Sequence, residues 1–253
     1  MTVDETLVPF RGRISFLVYN PQKPAKYGVK IMVMADAHNA YMRICTREKA
    51  QMGTHFLPTK KKLLIPTQAV VRLAKDIFES HRNITCDNWF VSVELAQVLL
   101  KNGLTLVGTM KKNKHQIPTE FQTSKDREIP SNLYGYTKDL TLLSFAPKKM
   151  KAVVLLSSMH HTAHTDEATC KPEIISSYNA TKGGVDTLDF KCSNYCANRK
   201  SRRWPLVVFY HLLAVTGSNA HILHKMFKDN KATTSYDFTR AVAYGLILKQ
   251  LNN

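Results

Sequence analysis

The chain has 253 residues, 44% of them hydrophobic, and a formal net charge of +17 from 36 Lys and Arg against 19 Asp and Glu. That length and apolar content suffice to bury a sizeable core, as one large or two small domains, and exclude disorder for most of the chain. The charge points to a polyanionic partner, because neutralising phosphates releases condensed counterions, although ribosome-associated and membrane-surface proteins share the same balance.

From the N-terminus, residues 14–19, 29–35 and 40–46 are rich in β-branched and aromatic side chains. The turn residues Asp36-Ala37-His38-Asn39 separate the last two runs, so the pattern predicts an antiparallel meander. Residues 67–79 place Val70, Val71, Ala74, Ile77 and Phe78 on one helical face, with Thr67 in the N-cap region after Pro66. Ile84-Thr85-Cys86 reads as a short buried strand. Residues 92–102 read as an amphipathic helix capped by Ser92 and stopped by Asn102-Gly103, and 104–110 as the next strand. From 112 to 178 prolines and polar runs break the rhythm into a β-rich insertion, within which 139–145 and 151–158 pair around Pro147-Lys148. Residues 205–227 are the longest helical candidate, apolar on most faces with Pro205 at its first position, and 236–251 form a terminal amphipathic segment. No apolar stretch is expected to approach the ~20 residues of a membrane helix, and no signal-type segment opens the chain, so a soluble protein with no membrane partner is expected.

The chemistry concentrates in aspartates. Thr181-Lys182-Gly183-Gly184-Val185-Asp186-Thr187-Leu188-Asp189 sets two carboxylates three residues apart after a flexible Gly-Gly, on one face of any helix that opens at Val185. Asp87 closes a strand-like run before Asn88-Trp89-Phe90, and Asp4 stands ahead of Phe10-Arg11-Gly12-Arg13. Well-separated aspartates in so basic a chain suggest metal ions beside phosphate. Taken alone, an Asp before Asn is a turn or cap residue, and Asp189 either complements the positive end of its helix or serves as an accessory ligand ranked below Asp186. Glu5, on the opposite side of a strand from Asp4, reads as structural or solvated. The five cysteines, Cys45, Cys86, Cys170, Cys192 and Cys196, are odd in number and show no C-x-x-C pair, which argues for a reducing compartment; Cys192 and Cys196 lack the further ligands zinc needs. His160, His161 and His164 with Asp166 read as a solvated loop, and Trp89 and Phe90 as packing beneath Asp87. Basic clusters at Lys111-Lys112-Lys114, Lys148-Lys149-Lys151 and Arg199, Lys200, Arg202 and Arg203 are candidate phosphate contacts. Trp204 either packs in the core or stacks on an unpaired base.

Three of these segments, in order, resemble the catalytic core of the piggyBac-type transposases, whose patterns read DE-x-x-x-x-F-x-GR, T-x-DN-x-F-x-S and TKGGVD-x-x-D; they stand here as Asp4 to Arg13, Thr85 to Ser92 and Thr181 to Asp189. Tyr19 to Lys30, Val107-Gly108-Thr109 and Arg203-Trp204-Pro205 extend the resemblance to about residue 225. It implies an α/β fold of ribonuclease H type, a mixed sheet with flanking helices and a β-rich insertion at 112–178 within one core spanning 1–253. It further implies metal-dependent nicking at an element end, attack of the freed 3′-hydroxyl on the opposite strand, and joining at TTAA sites. Asp4, Asp87 and Asp186 would hold two Mg²⁺ or Mn²⁺ ions about 4 Å apart, with Asp189 assisting and Lys182 neutralising phosphate charge. The implied partners are DNA and a second copy or a full-length transposase, and the implied location is nuclear. The alternative is a domesticated DNA-binding or interaction module without turnover; an unrelated ribonuclease H-type nuclease would show no TTAA preference. Residues 47–64 depart from the Tyr-x-Gly-rich phrase of the family, and the upstream helical and downstream cysteine-rich regions are missing, so a truncated core that does not complete transposition alone is expected.

Overall fold

The computed structural model describes residues 1–47, 63–122, 127–166, 171–195, 198–228 and 233–251. Strands β1 (Thr2–Pro9), β2 (Leu17–Tyr19), β3 (Tyr27–Ala35), β4 (Met42–Arg47), β5 (Asn83–Cys86), β6 (Thr105–Thr109), β7 (Ser131–Tyr136), β8 (Thr141–Lys148) and β9 (Lys151–Ser157) make a nine-stranded mixed sheet. Its order is β2-β3-β1-β5-β6-β9-β8-β7, with β4 paired to β3. Six α-helices accompany it among the described residues: α1 (Ile65–Ala74), α2 (Val93–Lys101), α3 (Glu173–Thr181), α4 (Gly184–Asn194), α5 (Trp204–Lys228) and α6 (Ser235–Leu251). The chain divides into two compact units, Met1–Asp4 with Gln51–Gly183 and Glu5–Ala50 with Gly184–Asn253, so β1 belongs to the first by its opening residues and to the second by its remainder.

In the first unit β1, β5 and β6 run parallel, Thr2 opposite Thr85 and Asn83 opposite Thr105, and β9, β8 and β7 continue antiparallel from β6. Parallel neighbours need a crossover, and α2 supplies it between β5 and β6. Its ends are those the sequence spells out: the Ser92 hydroxyl accepts the Leu95 N–H at 3.0 Å, and Gly103 follows at φ 65°, a left-handed conformation that favours glycine. Leu95, Ala96 and Leu99 are buried on one face of the helix. Helix α1 begins two residues earlier than the Thr67 cap predicts, at Ile65, with Pro66 inside its first turn; Thr67 is buried within the helix, and the α-helical part ends at Ala74 before a short 3-10 turn. The run 112–178 contributes β7, β8 and β9 to the main sheet and a small β10–β11 pair (Thr165–Asp166, Lys171–Pro172), and it ends in α3, a helix the sequence pattern does not announce.

In the second unit β2, β3 and β4 form the expected antiparallel meander, although β2 is only Leu17–Tyr19. Asp36 closes the β3–β4 turn, its carboxylate accepting the N–H groups of His38 at 2.9 Å and Asn39 at 3.0 Å. Val8, Phe10, Val29, Ile31 and Val33 of the strands pack with Val185, Leu188 and Cys192 of α4 and Val215 of α5. Asn219 of α5 both donates to the carbonyl of Met42 at 2.8 Å and accepts its N–H at 2.9 Å, tying the helix to β4. Residues Trp204–Phe227 are long and apolar enough, by length and composition, to cross a membrane, which corrects the expectation that no stretch approaches that size. Polar residues such as His211, Asn219 and His221 interrupt the apolar run without making the helix as a whole polar. A helix that packs into a core has the same composition; Val215 and Ile222 of α5 are buried in this unit, whereas Phe209, Leu213, Met226 and Phe227 are exposed.

Candidate functional site

In the first unit, β1 and β5 pair through only two register positions, Thr2 with Thr85 and Val3 with Cys86. Asp4 and Asp87 are the next residues on each strand, so two half-buried carboxylates stand at neighbouring strand positions. The chain turns sharply after β5: the Asp87 carboxylate accepts the Trp89 N–H at 2.9 Å, and the Asp87 carbonyl accepts those of Phe90 and Val91 at 3.3 Å. Phe90 is buried beneath this turn with Trp89 edge-on at 4.7 Å, as the sequence suggests. Lys114 reaches the same turn, its ammonium donating to the Val91 carbonyl, and burial and the charge of Lys111 lower its pKa.

Two groups sense both carboxylates. Burial pushes the Cys86 thiol well above its ordinary value, and the charges of Asp87 and Asp4 push it further. Burial likewise raises the Tyr178 hydroxyl, whose hydrogen bond to the Thr109 side chain lowers it while Asp87 and Asp4 raise it. The exposed Lys182 holds its ammonium 5.5 Å from the Tyr178 ring. Sequence reasoning passed over Tyr178 and the threonines around it. A signal for the threonines was present in the repeated T-x-D of Thr2-Val3-Asp4 and Thr85-Cys86-Asp87, which puts a hydroxyl and a carboxylate on one face of each strand.

In the second unit α4 begins at Gly184, and Asp186 lies exposed in its first turn, the position that complements the helix dipole. Asp189 is placed differently: half-buried, its carboxylate accepts the Thr6 hydroxyl at 2.7 Å. Burial raises its pKa, Thr6 and Lys23 lower it, and Asp186 raises it. Glu5 pairs with Lys30 at 3.1 Å, in line with a structural role. Arg199, Lys200, Arg202 and Arg203 are exposed just before α5. Trp204, the first residue of α5, is partly buried with its ring 5.1 Å from Phe16, edge to face.

Among the described residues no group of three or more His, Cys, Asp and Glu stands ready to hold a metal ion. Asp4 and Asp87 nonetheless fit a magnesium-type ion, which keeps several waters and takes one or two carboxylates together with substrate phosphate. His160 is not a solvated loop residue but is buried: its ring meets the Ser157 hydroxyl at 2.8 Å, its carbonyl accepts Thr141 at 2.6 Å, and burial lowers its pKa. Cys45, Cys86 and Cys192 are not joined in disulfides, whereas Cys170, Cys196 and most of residues 47–64 lie outside the described residues.

Residues 1–221 match the family model described as Transposase IS4, of DDE type. The human PiggyBac transposable element-derived protein 3 is 24% identical over 94% of this chain and 42% of its own length. The human chimeric ERCC6-PGBD3 protein is also 24% identical, over 94% of this chain and 24% of its own. Among solved structures, a piggyBac transposase synaptic complex with hairpin DNA matches with a TM-score of 0.89 and 37% identity, over 100% of this chain and 54% of that one. The chain thus spans about half or less of the length of these relatives. The structural match assigns the mixed sheet and flanking helices to the ribonuclease H-like fold. With a family model covering most of its length and a piggyBac transposase fold covering all of it, the chain belongs to the transposase IS4 family, as a piggyBac-type, transposase-like protein.

Proposed function

We propose that this chain is the catalytic core of a piggyBac-like DNA transposase that cleaves and transfers strands at TTAA sites. The observation that carries this reading is the pair Asp4 and Asp87 on adjacent parallel strands, in a chain whose net charge is +17. In this reading Asp4, Asp87 and Asp186 are the metal ligands and Asp189 assists. Two Mg²⁺ or Mn²⁺ ions, when bound, would lower the pKa of the attacking hydroxyl and stabilise the leaving oxygen. A water oxygen attacks phosphorus, the P–O3′ bond breaks, and the departing 3′ oxygen takes up a proton; the freed 3′-hydroxyl then attacks a phosphorus of the opposite strand, whose own P–O3′ bond breaks to release a second 3′-hydroxyl. Lys182, Arg199, Lys200, Arg202 and Arg203 contact phosphates, and Trp204 supports them through its packing on Phe16. DNA is the partner, the working form is a homodimer or an assembly with a full-length transposase, and the location is the nucleus.

A second reading, a domesticated DNA-binding or interaction module without turnover, rests on the net charge of +17, which serves phosphate contact with or without a metal site. Titration with Mn²⁺ separates the two. Replacing Asp87 or Asp186 by Asn is expected to weaken Mn²⁺ binding at least about tenfold with the fold intact. Equal affinity in wild type and both variants would leave only the module.

A further inference from the structure

Two carboxylates on neighbouring strands repel each other, and β1 is held to β5 beside them by two register pairs and by Met1, whose amino group donates to the Asn83 carbonyl and whose carbonyl accepts the Thr85 N–H, both at 2.8 Å. Side chains on one face of these strands add a further tie. The last turn of α3 lies across the same face and is gripped by a threonine from each of the three parallel strands. The Thr2 hydroxyl of β1 donates to the carbonyl of Thr181. The Thr85 hydroxyl of β5 meets the Thr181 hydroxyl at 2.8 Å, and Thr109 of β6 bonds the Tyr178 hydroxyl.

The hydroxyl protons have one consistent direction. Thr181 donates to the carbonyl of Ser177 at 2.7 Å, so Thr85 must donate to Thr181. Thr85 in turn accepts the Asn83 amide N–H at 3.2 Å, and the Asn83 amide oxygen accepts Thr105 at 3.1 Å. The chain Thr105, Asn83, Thr85, Thr181, Ser177 therefore runs from β6 through β5 into α3 with each hydroxyl used as both donor and acceptor where it can be. Thr85 is fully buried, so its hydroxyl cannot exchange this partner for water.

We propose that Thr181 is a positioning residue that straps β1 to β5 directly behind the carboxylate pair. Its carbonyl holds the strand of Asp4 and its hydroxyl holds the strand of Asp87, each at the same-face residue two positions before the aspartate. Because the side-chain period of a strand is two, fixing Thr2 and Thr85 fixes the origin from which Asp4 and Asp87 project. The same turn is followed by Lys182, whose N–H donates to the Tyr178 carbonyl at 2.9 Å. The strap rests on the metal-dependent reading of Asp4 and Asp87 given above.

The test uses the whole chain and Mn²⁺ as the probe ion. Thr181→Val and Thr85→Val each sever the hydroxyl strap, and each is expected to weaken Mn²⁺ binding about tenfold, the scale of losing a group that orients a metal ligand. The double variant should lose less than the sum of the two single losses, because each change breaks the Thr85–Thr181 bond that the two residues share. Thr181→Ser keeps the hydroxyl and should bind within about twofold of wild type. In metal-free protein, hydrogen exchange at the amide of Lys182 should quicken in Thr181→Val and return to the wild-type rate in Thr181→Ser. Normal wild-type Mn²⁺ binding that Thr181→Val leaves unchanged, or additive losses in the double variant, would overturn the strap alone. Absence of Mn²⁺ binding in wild type, unchanged by Asp87→Asn, would overturn the metal-dependent reading and the strap with it. Unaltered exchange at Lys182 in Thr181→Val overturns the strap whatever the metal does.

Discussion

Burial raises the carboxyl of Asp189 above its ordinary 3.8, against the Thr6 hydroxyl and the Lys23 charge that lower it. A raised folded value means that the native chain holds this proton more tightly than the unfolded chain does. Stability therefore falls as pH climbs from 3.8 through the folded value, and the penalty is complete above it. Asp189→Asn keeps an oxygen for Thr6 and removes the charge. In chelator, urea unfolding from about pH 4 to about pH 7 should show the variant gaining on wild type as pH rises. A constant difference would mean that Asp189 titrates as it does in the unfolded chain. Thr6→Val attacks the same contact from the other side and is expected to cost about 1–3 kcal/mol, since it strips a half-buried carboxylate of a donor. Cys86 makes a complementary prediction. Its buried thiol, with two carboxylates nearby, stays protonated, so alkylation followed by mass spectrometry should leave it unmodified in native protein and label it only on unfolding.

Strand β6 approaches β5 closely at one point. A Cβ on Gly108 would lie 2.4 Å from the Cys86 carbonyl and 2.4 Å from a Val91 methyl, both beside Asp87, and backbone cannot move aside without disturbing the strand pair. Gly108→Ala should therefore destabilise the protein by about 1–3 kcal/mol in urea unfolding, with a loss of Mn²⁺ affinity if the Asp87 turn shifts. Elements whose ends carry their own chemistry were legible in the sequence. Ser92 caps α2 and Gly103 stops it, and the Asp36 turn closes β3 onto β4, each as the residue types dictate. Helix α3 was not legible, because Pro172 at its N-cap offers no side-chain bond and its Ile-Ile-Ser-Ser-Tyr run suits a strand as well as a helix. What holds it are Ile174 and Ile175 in the core and the threonine contacts at its far end, all of which depend on residues distant in sequence. The start of α1 failed for a related reason: Thr67 has the chemistry of a cap but lies buried inside the helix, where packing overrode propensity.

At the scale of the molecule, a net charge of +17 dominates encounter with any polyanion. Binding to duplex DNA should weaken linearly on a log–log plot against salt. Replacing Arg199, Arg202 and Arg203 should flatten the slope by about 1 for each phosphate left without its arginine, up to about 3. Filter binding between low and moderate salt measures this, and an unchanged slope would remove these arginines from the interface. Asp4 and Asp87, which stand at neighbouring strand positions, were legible as candidates because aspartates in ordered motifs are visible in one dimension. The supports of the candidate site were less so: the Thr6–Asp189 bond joins residues 183 positions apart and the Thr2–Thr181 bond joins residues 179 apart, and no local pattern encodes either.

Strand β1 has a place in both compact units, and this bears on how the chain can be divided. Its partners lie far along the chain: β5 follows some eighty residues afterwards, with Met1 bonded to Asn83 across 82 positions, and α4 comes later still. Neither unit is a continuous stretch: the first is completed by residues 51–183 and the second by 184–253, so Val3 and Val8, both buried, depend on residues far from them in sequence. Splitting the protein at residue 50 for separate expression would thus deliver two incomplete bodies rather than two domains.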